Sequence, residues 1–212
     1  MKIYLISFIV ILSILIIWSL VGYFTSNAEQ AKYSVLKKAD GYEIRNYPAH
    51  IVAQTTIEGS STESDALTKG FGILAGYIFG GNVKKENIAM TAPVVARQAF
   101  SEKIAMTVPV MTSTDGSSQV ISFFMPSGYT LATLPVPNDS RVRLVEVPEQ
   151  KMTALAFSGY RIGDRFEKMR KQLLADLARD NITIIGTPIY AGYNPPWTPP
   201  WMTQNEIMVQ IR

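Results

Sequence analysis

The sequence predicts an α+β fold, a duplicated β-β-α-β-β plan preceded by one N-terminal transmembrane helix, and three observations carry the prediction. No residue from Ile3 to Phe24 is charged. Two strings, Ile88-Ala89-Met90-Thr91-Ala92-Pro93-Val94 and Ile104-Ala105-Met106-Thr107-Val108-Pro109-Val110, are nearly identical and lie sixteen residues apart. At an offset of one hundred, Tyr42–Gly59 resembles Val142–Gly159, with Pro48 over Pro148 and Gly59 over Gly159.

The apolar run comes first. At 1.5 Å per residue it forms a helix of roughly 33 Å, enough to cross a hydrocarbon core of about 30 Å. It is longer than the roughly 7–15 residues of a signal-peptide core. Residues 1–25 are therefore expected as a transmembrane anchor, or an uncleaved signal, with 26–40 as linker and 41–212 as one domain. Ser26 and Ala28 are small enough for a cleavage site, which keeps the signal alternative open. Lys2 lies on one side of the run and Lys32, Lys37 and Lys38 on the other. Short flanks decide orientation by cation count, and with the amino terminus beside Lys2 the two sides are nearly balanced. The expected arrangement is a single-pass signal anchor with its amino terminus inside and its domain on the extracytoplasmic side.

Each half of the hundred-residue repeat has two short extended runs around a proline, which places an edge, bulge or corner there. In the first half these are Glu43-Ile44-Arg45 and Ile51-Val52-Ala53; in the second, Arg143-Leu144-Val145 and Met152-Thr153-Ala154. A helix follows in both. Ser60 with Glu63 and Asp164 with Glu167 have capping-box spacing. Leu67, Phe71, Leu74 and Ile78, then Phe166, Met169, Leu173 and Leu177, recur at helical period and should lie on a sheet. Further strands are expected at Ile88–Val95, Ile104–Met111, Val120–Met125, Pro188–Gly192 and Ile207–Ile211. Short connections imply a largely antiparallel sheet, with the two duplicated strings as a hairpin closed through Ala96–Lys103.

Composition narrows the function. With 20 Lys+Arg, 17 Asp+Glu and no cysteine, the chain offers no thiolate metal site, no disulfide framework and no basic run for a nucleic-acid backbone. One histidine, with no Gly-x-Ser-x-Gly elbow and no phosphate loop, leaves no recognisable enzyme centre. Gly80-Gly81-Asn82 reads as a helix stop.

The strings Tyr42-Glu43-Ile44-Arg45-Asn46-Tyr47, Ala89-Met90-Thr91-Ala92-Pro93-Val94, Phe124-Met125-Pro126-Ser127 and Ala191-Gly192-Tyr193-Asn194-Pro195, with the late Asn205-Glu206, resemble the SOUL haem-binding protein family. The resemblance covers nearly all of the globular part. It implies a distorted antiparallel β-barrel flanked by two helices, a pseudo-twofold repeat, and haem or another tetrapyrrole bound at a hydrophobic site beside the first helix. It implies no catalysis. In members proposed to use an axial histidine, that residue directly follows the Arg of Tyr-Glu-Ile-Arg, and here the position is Asn46, a poor iron ligand. Members lacking that histidine are thought to hold haem mainly by apolar contact, so the resemblance leaves ligation in doubt more than binding.

The candidate site residues follow from the first domain helix, in which Gly70, Gly72 and Gly76 each cost about 0.8–1.0 kcal/mol relative to alanine. Leu67, Gly70, Ile73, Leu74, Tyr77 and Ile78 form its sheet-facing side. Thr68, Phe71, Gly72, Ala75, Gly76 and Phe79 form a shallow flank, floored by small residues, that suits a flat ligand. The alternative is that the glycines admit another chain segment. His50 is the sole histidine and a tentative axial ligand, or else a half-exposed strand residue. Met90 and Met106 are soft donors or core filler. Lys69, Lys84 and Lys85 are candidates for haem propionates. The segment Asn194–Trp201 is a stiff loop that could close a pocket, rest at a membrane interface or, through Pro195–Trp201, meet a protein partner; the alternative is a loop packed along the barrel wall. The expected function is reversible binding of haem or a porphyrin. The alternative is a membrane-tethered interaction or scaffold module with a vestigial ligand site.

Overall fold

The structure is a computed structural model that describes residues 2–25, 29–60, 62–98, 118–160, 165–195 and 197–212. It opens with helix α1 (Lys2–Thr25), followed by strands β1 (Glu29–Gln30), β2 (Ser34–Lys38), β3 (Glu43–Tyr47) and β4 (His50–Ile57). Helix α2 (Glu63–Ile78) leads into β5 (Thr91–Ala92), β6 (Val94–Gln98) and β7 (Gln119–Phe124). Then come β8 (Arg143–Val147), β9 (Gln150–Phe157), helix α3 (Arg165–Arg179), β10 (Ile184–Gly192), a 3-10 turn (Pro200–Met202) and β11 (Asn205–Ile211).

Nine strands form one antiparallel sheet in the order β2-β3-β9-β11-β10-β6-β7-β4-β8. Proline explains the order. Pro48-Ala49 and Pro148-Glu149 join β3 to β4 and β8 to β9, yet neither joined pair is hydrogen-bonded. Each proline turns a corner, sending the chain to a different part of the sheet. β3 pairs instead with β9, Glu43 opposite Ala154, and β4 with β8, Gln54 opposite Arg143.

The expected barrel is corrected: the sheet is open. Among the described residues no ladder joins its edges, β2 and β8. β2 is exposed along its whole length and carries Lys37 and Lys38, while β8 exposes Arg143 and Glu146. Charges on an edge oppose further strand addition.

Two helices cover the sheet. Under α2, Ala66, Leu74, Tyr77 and Ile78 pack with Ala53, Ile121 and Phe123. Under α3, Leu173 and Leu177 pack with Tyr42, Leu155, Ile207 and Val209. At about 1.5–3 kcal/mol for each large buried apolar side chain, these stripes hold the helices in place. Leu67, Phe71, Phe166 and Met169 are only partly buried at the margins of the same clusters.

The α2 cap is Thr62, whose Oγ1 accepts from the Asp65 backbone N–H at 3.1 Å, so the cap lies two residues beyond the expected Ser60. The expected stop is present: Phe79 caps the helix and Gly80 turns at φ +102°. The first duplicated string supplies β5 and the start of β6, with Ile88–Met90 outside any strand. The second string, Met106, the strand expected at 104–111, the hairpin through 96–103 and Asp164 lie wholly or partly outside the described residues. Within the expected linker, Glu29–Gln30 pair with Thr91–Ala92, and Ser34–Lys38 pair with β3.

In α1, Ile3–Tyr23 is long and apolar enough to cross a membrane, with a mean hydropathy of 2.8. Length and composition of this kind also fit an N-terminal signal sequence.

Candidate functional site beside the glycine-rich helix

The three glycines of α2 do different work. A Cβ on Gly70 would overlap Ile121 Cγ1, so this glycine lets the helix settle onto β7. Gly72 and Gly76 would meet nothing within 4 Å. They do not accommodate another described segment. They leave the outer face of α2 flat and open, at a helix cost that no packing offsets.

Gly72 and Gly76 line a broad trough of about 1030 Å³ between α2, the end of β4 and the loop 138–141. Ile73 and Tyr77 join them from the helix, Thr56 and Ile57 from the end of β4, and Glu58 from just beyond it. The opposite wall is Asn138–Arg141. Two backbone bonds hold that wall against the helix end: Asn138 N–H donates to Gly81 O at 3.0 Å, and Val83 N–H to Val136 O at 2.9 Å. Tyr77 is buried and donates its hydroxyl to Pro135 O at 2.8 Å; burial pushes its pKa up to about 12.

Two cations stand at the trough. Lys69 pairs with Asp65 at 2.8 Å, one helical turn earlier. Arg141 grips Asp139, with a shortest contact of 2.6 Å, and hydrogen bonds from Arg141 hold the Asp139 carboxyl down at about 2. Among the described residues, none that line the trough is a histidine, cysteine or methionine.

Of the six flank residues expected from the sequence, only Gly72 and Gly76 line the trough. Thr68 is exposed and turns its hydroxyl back to Ser64 O at 2.9 Å. Phe71 leans inward, edge to face with Phe123 at 5.2 Å. Ala75 is half-buried on the far side of the glycine ridge, and Phe79 is 65% exposed beyond the helix end. Lys84 and Lys85 are exposed in the turn after α2. Met90 packs against the core under α2.

His50 lies elsewhere. It lines a separate cavity of about 340 Å³ with Glu29, Lys32, Phe124–Ser127 and Tyr129–Leu131, and that cavity shares no residue with the trough. Its ring stacks on Phe124 at 4.6 Å, and Nδ1–H donates to Pro48 O at 2.8 Å, leaving Nε2 as the acceptor nitrogen. Burial depresses its pKa below 6.5, outweighing the Pro48 bond.

Three of the motif strings, Tyr42–Tyr47, Ala191–Pro195 and Asn205-Glu206, meet in a third place. Arg45 on β3 donates from Nη1 and Nη2 to Glu206 Oε2 and Oε1 on β11, at 2.8 and 3.0 Å. Tyr193 donates to the same carboxylate at 2.7 Å, and Arg45 lies 4.3 Å over the Tyr33 ring. Burial opposes the Arg45 charge, but the Glu206 bonds outweigh it and raise the pKa; burial, then Glu206, raises that of Tyr193. Asn205 accepts from the Tyr190 hydroxyl at 2.6 Å and donates to Gly159 O at 2.8 Å. Asn46 donates to Glu149 at 2.7 Å on the exposed side of β3. These strings build the sheet and do not line the trough.

The family described as SOUL heme-binding protein matches residues 28–210. The chain belongs to that family. Heme-binding protein 2 of Mus musculus is 30% identical over 165 residues, covering 74% of this chain and 71% of the relative. The Homo sapiens protein of the same name is 30% identical over 164 residues, covering 73% and 71%. Among solved structures, the C-terminal domain of EcmrR superposes with a TM-score of 0.59 at 10% identity, over 85% of this chain and 98% of that one. At that identity the likeness is one of fold alone. The wall Asn138–Arg141 was missed by sequence reasoning. Asn138-Asp139-Ser140 is legible as a turn, but nothing local places it across from α2.

Proposed function

We propose that this protein binds haem or a related tetrapyrrole reversibly, as cargo, in the trough beside α2. The observation that carries the reading is the open face at Gly72 and Gly76. A flat macrocycle can approach the helix backbone there, against Ile73, Ile57 and the edge of Tyr77. Lys69 and Arg141 would take the propionates by charge-assisted hydrogen bonds, exchanging in part with Asp65 and Asp139. With no soft or imidazole donor in the trough and His50 in a separate cavity, apolar contact holds the ligand and iron ligation by the protein is weak or absent. The family and the names of the mouse and human relatives support haem as the ligand class.

Two features of organisation belong to the same reading. α1 remains as a single-pass anchor, supported by the uninterrupted apolar run; within the same proposal the amino terminus stays inside and the domain lies on the extracytoplasmic side. The domain is an internal duplication, supported by the matching registers Glu43–Ala154 and Arg143–Gln54 at an offset of one hundred. The test is a haemin titration of the detergent-solubilised protein with protoporphyrin IX as competitor. A saturable Soret change that the metal-free porphyrin competes away supports the reading. No spectral change and no competition would reject it.

A further inference from the structure

The chain has three tryptophans, Trp18, Trp197 and Trp201, and all three meet at one place. Trp18 Nε1–H on α1 donates to Trp197 O at 2.7 Å. Its ring meets Trp201 edge to face at 5.4 Å. One turn further along α1, a Cβ on Gly22 would lie 2.7 Å from Pro199 Cδ, so glycine lets the loop press on the helix. The loop is held from the domain side as well. Thr203 Oγ1 accepts from Gly159 N–H at 2.8 Å and Asn194 Oδ1 accepts from Gln204 N–H at 2.6 Å, while Met202 N–H donates within the loop to Pro199 O at 2.9 Å. Despite this tethering Trp197 and Trp201 are 55% and 53% exposed.

The position along α1 decides what they face. The apolar span ends at Tyr23. Trp18 is five residues inside that end, about 7.5 Å along the axis, within the roughly 5–10 Å band between headgroups and acyl chains. A loop that touches Trp18 reaches the same depth. Tryptophan favours that band because its ring is apolar and its N–H is polar; prolines reduce the number of backbone N–H donors in the loop, and Thr198 N–H and Met202 N–H are paired within it, with Pro195 O and Pro199 O.

We infer that the segment Trp197–Met202 is a second membrane contact, in which Trp197 and Trp201 insert beside Trp18 into the lipid interface and fix the tilt of the domain on the bilayer. The inference rests on α1 being a retained span. It assigns the loop to a lipid surface in preference to a protein partner or a lid over the ligand.

The native tryptophans supply the test. The full chain is reconstituted in phosphatidylcholine vesicles with bromines placed near the headgroup or deep in the acyl chains. Trp18→Phe leaves only the loop emission; Trp197→Phe with Trp201→Phe leaves only Trp18. The expected result is loss of emission from both proteins with shallow bromines, a smaller loss with deep ones, and protection from aqueous acrylamide. If Trp18 alone is quenched while the loop emission responds to acrylamide, the loop faces water and the inference is overturned with the anchor intact. If neither is quenched, the span itself is wrong and the inference falls with it. Wild-type protein in the same vesicles needs no substitution: loss of less than the Trp18 share of its emission also overturns the proposal.

Discussion

Replacing Arg45 by methionine should be the most damaging single change in the domain. The Arg45 and Glu206 side chains are 5% and 1% exposed, and two hydrogen bonds of 2.8 and 3.0 Å join them. Methionine fills much of the volume but leaves the Glu206 carboxylate facing only the Tyr193 hydroxyl and a long contact of 3.4 Å from Gln204. Removing one partner of a buried pair costs about 3–5 kcal/mol, because the other charge stays behind in a poorly solvating site. With a urea slope of about 2 kcal/mol/M, the midpoint should fall by roughly 2 M. The assay is urea unfolding in mild detergent, followed by far-UV circular dichroism so that α1 is a constant background. Replacing both partners, Arg45→Met with Glu206→Met, should recover most of the loss, since no charge is then stranded. A single substitution that costs under about 1 kcal/mol would refute the reasoning, as would a double variant no better than the single one.

The α2 glycines should respond with opposite signs: Gly72→Ala and Gly76→Ala each raise stability by up to about 1 kcal/mol, while Gly70→Ala lowers it through overlap with Ile121. Thermal melts of the three variants check this. For His50 the unfolded chain takes a proton more readily than the folded one, since burial holds the folded pKa below 6.5. Its contribution is full above pH 6.5 and is lost as pH falls through the lower folded value, so the gap in unfolding free energy between wild type and His50→Gln should narrow between neutral and acid pH. Lys69→Met and Arg141→Met should each weaken haemin binding about 2- to 5-fold, as expected for exposed charge contacts, and should leave protoporphyrin dimethyl ester unaffected. Fluorescence quenching by the two ligands separates these outcomes.

The sequence was most legible where signals are local. The helices lie where their apolar period placed them, the Gly80 stop is real, and the paired prolines mark the corners between β3 and β4 and between β8 and β9. What was not legible depends on pairing across the chain. The charged edges that keep the sheet open are visible as Lys37, Lys38, Arg143 and Glu146, but their edge position follows only from the strand order. Arg45, Tyr193 and Glu206 come from three separate motif strings, and the buried network that joins them follows only from how the strands pair. In the candidate site, the glycine pattern pointed to α2, beside which the trough lies, while the angular reading favoured Thr68, Ala75 and Phe79. The trough lies toward Lys69 and Ile73 because the loop 138–141 folds against that side. That loop is bonded to Gly81 from more than fifty residues away, so no window on the sequence contains both walls.

The decisive measurement is a Soret titration with haemin of three purified proteins side by side: wild type, Gly76→Leu and His50→Ala. Leucine at position 76 has open space around its Cβ, so the helix folds normally while the trough floor is raised. The expected result is saturable binding by wild type, severe loss in Gly76→Leu, and an unchanged curve in His50→Ala. Full binding by Gly76→Leu, or loss confined to His50→Ala, would contradict a tetrapyrrole site on the glycine face of α2.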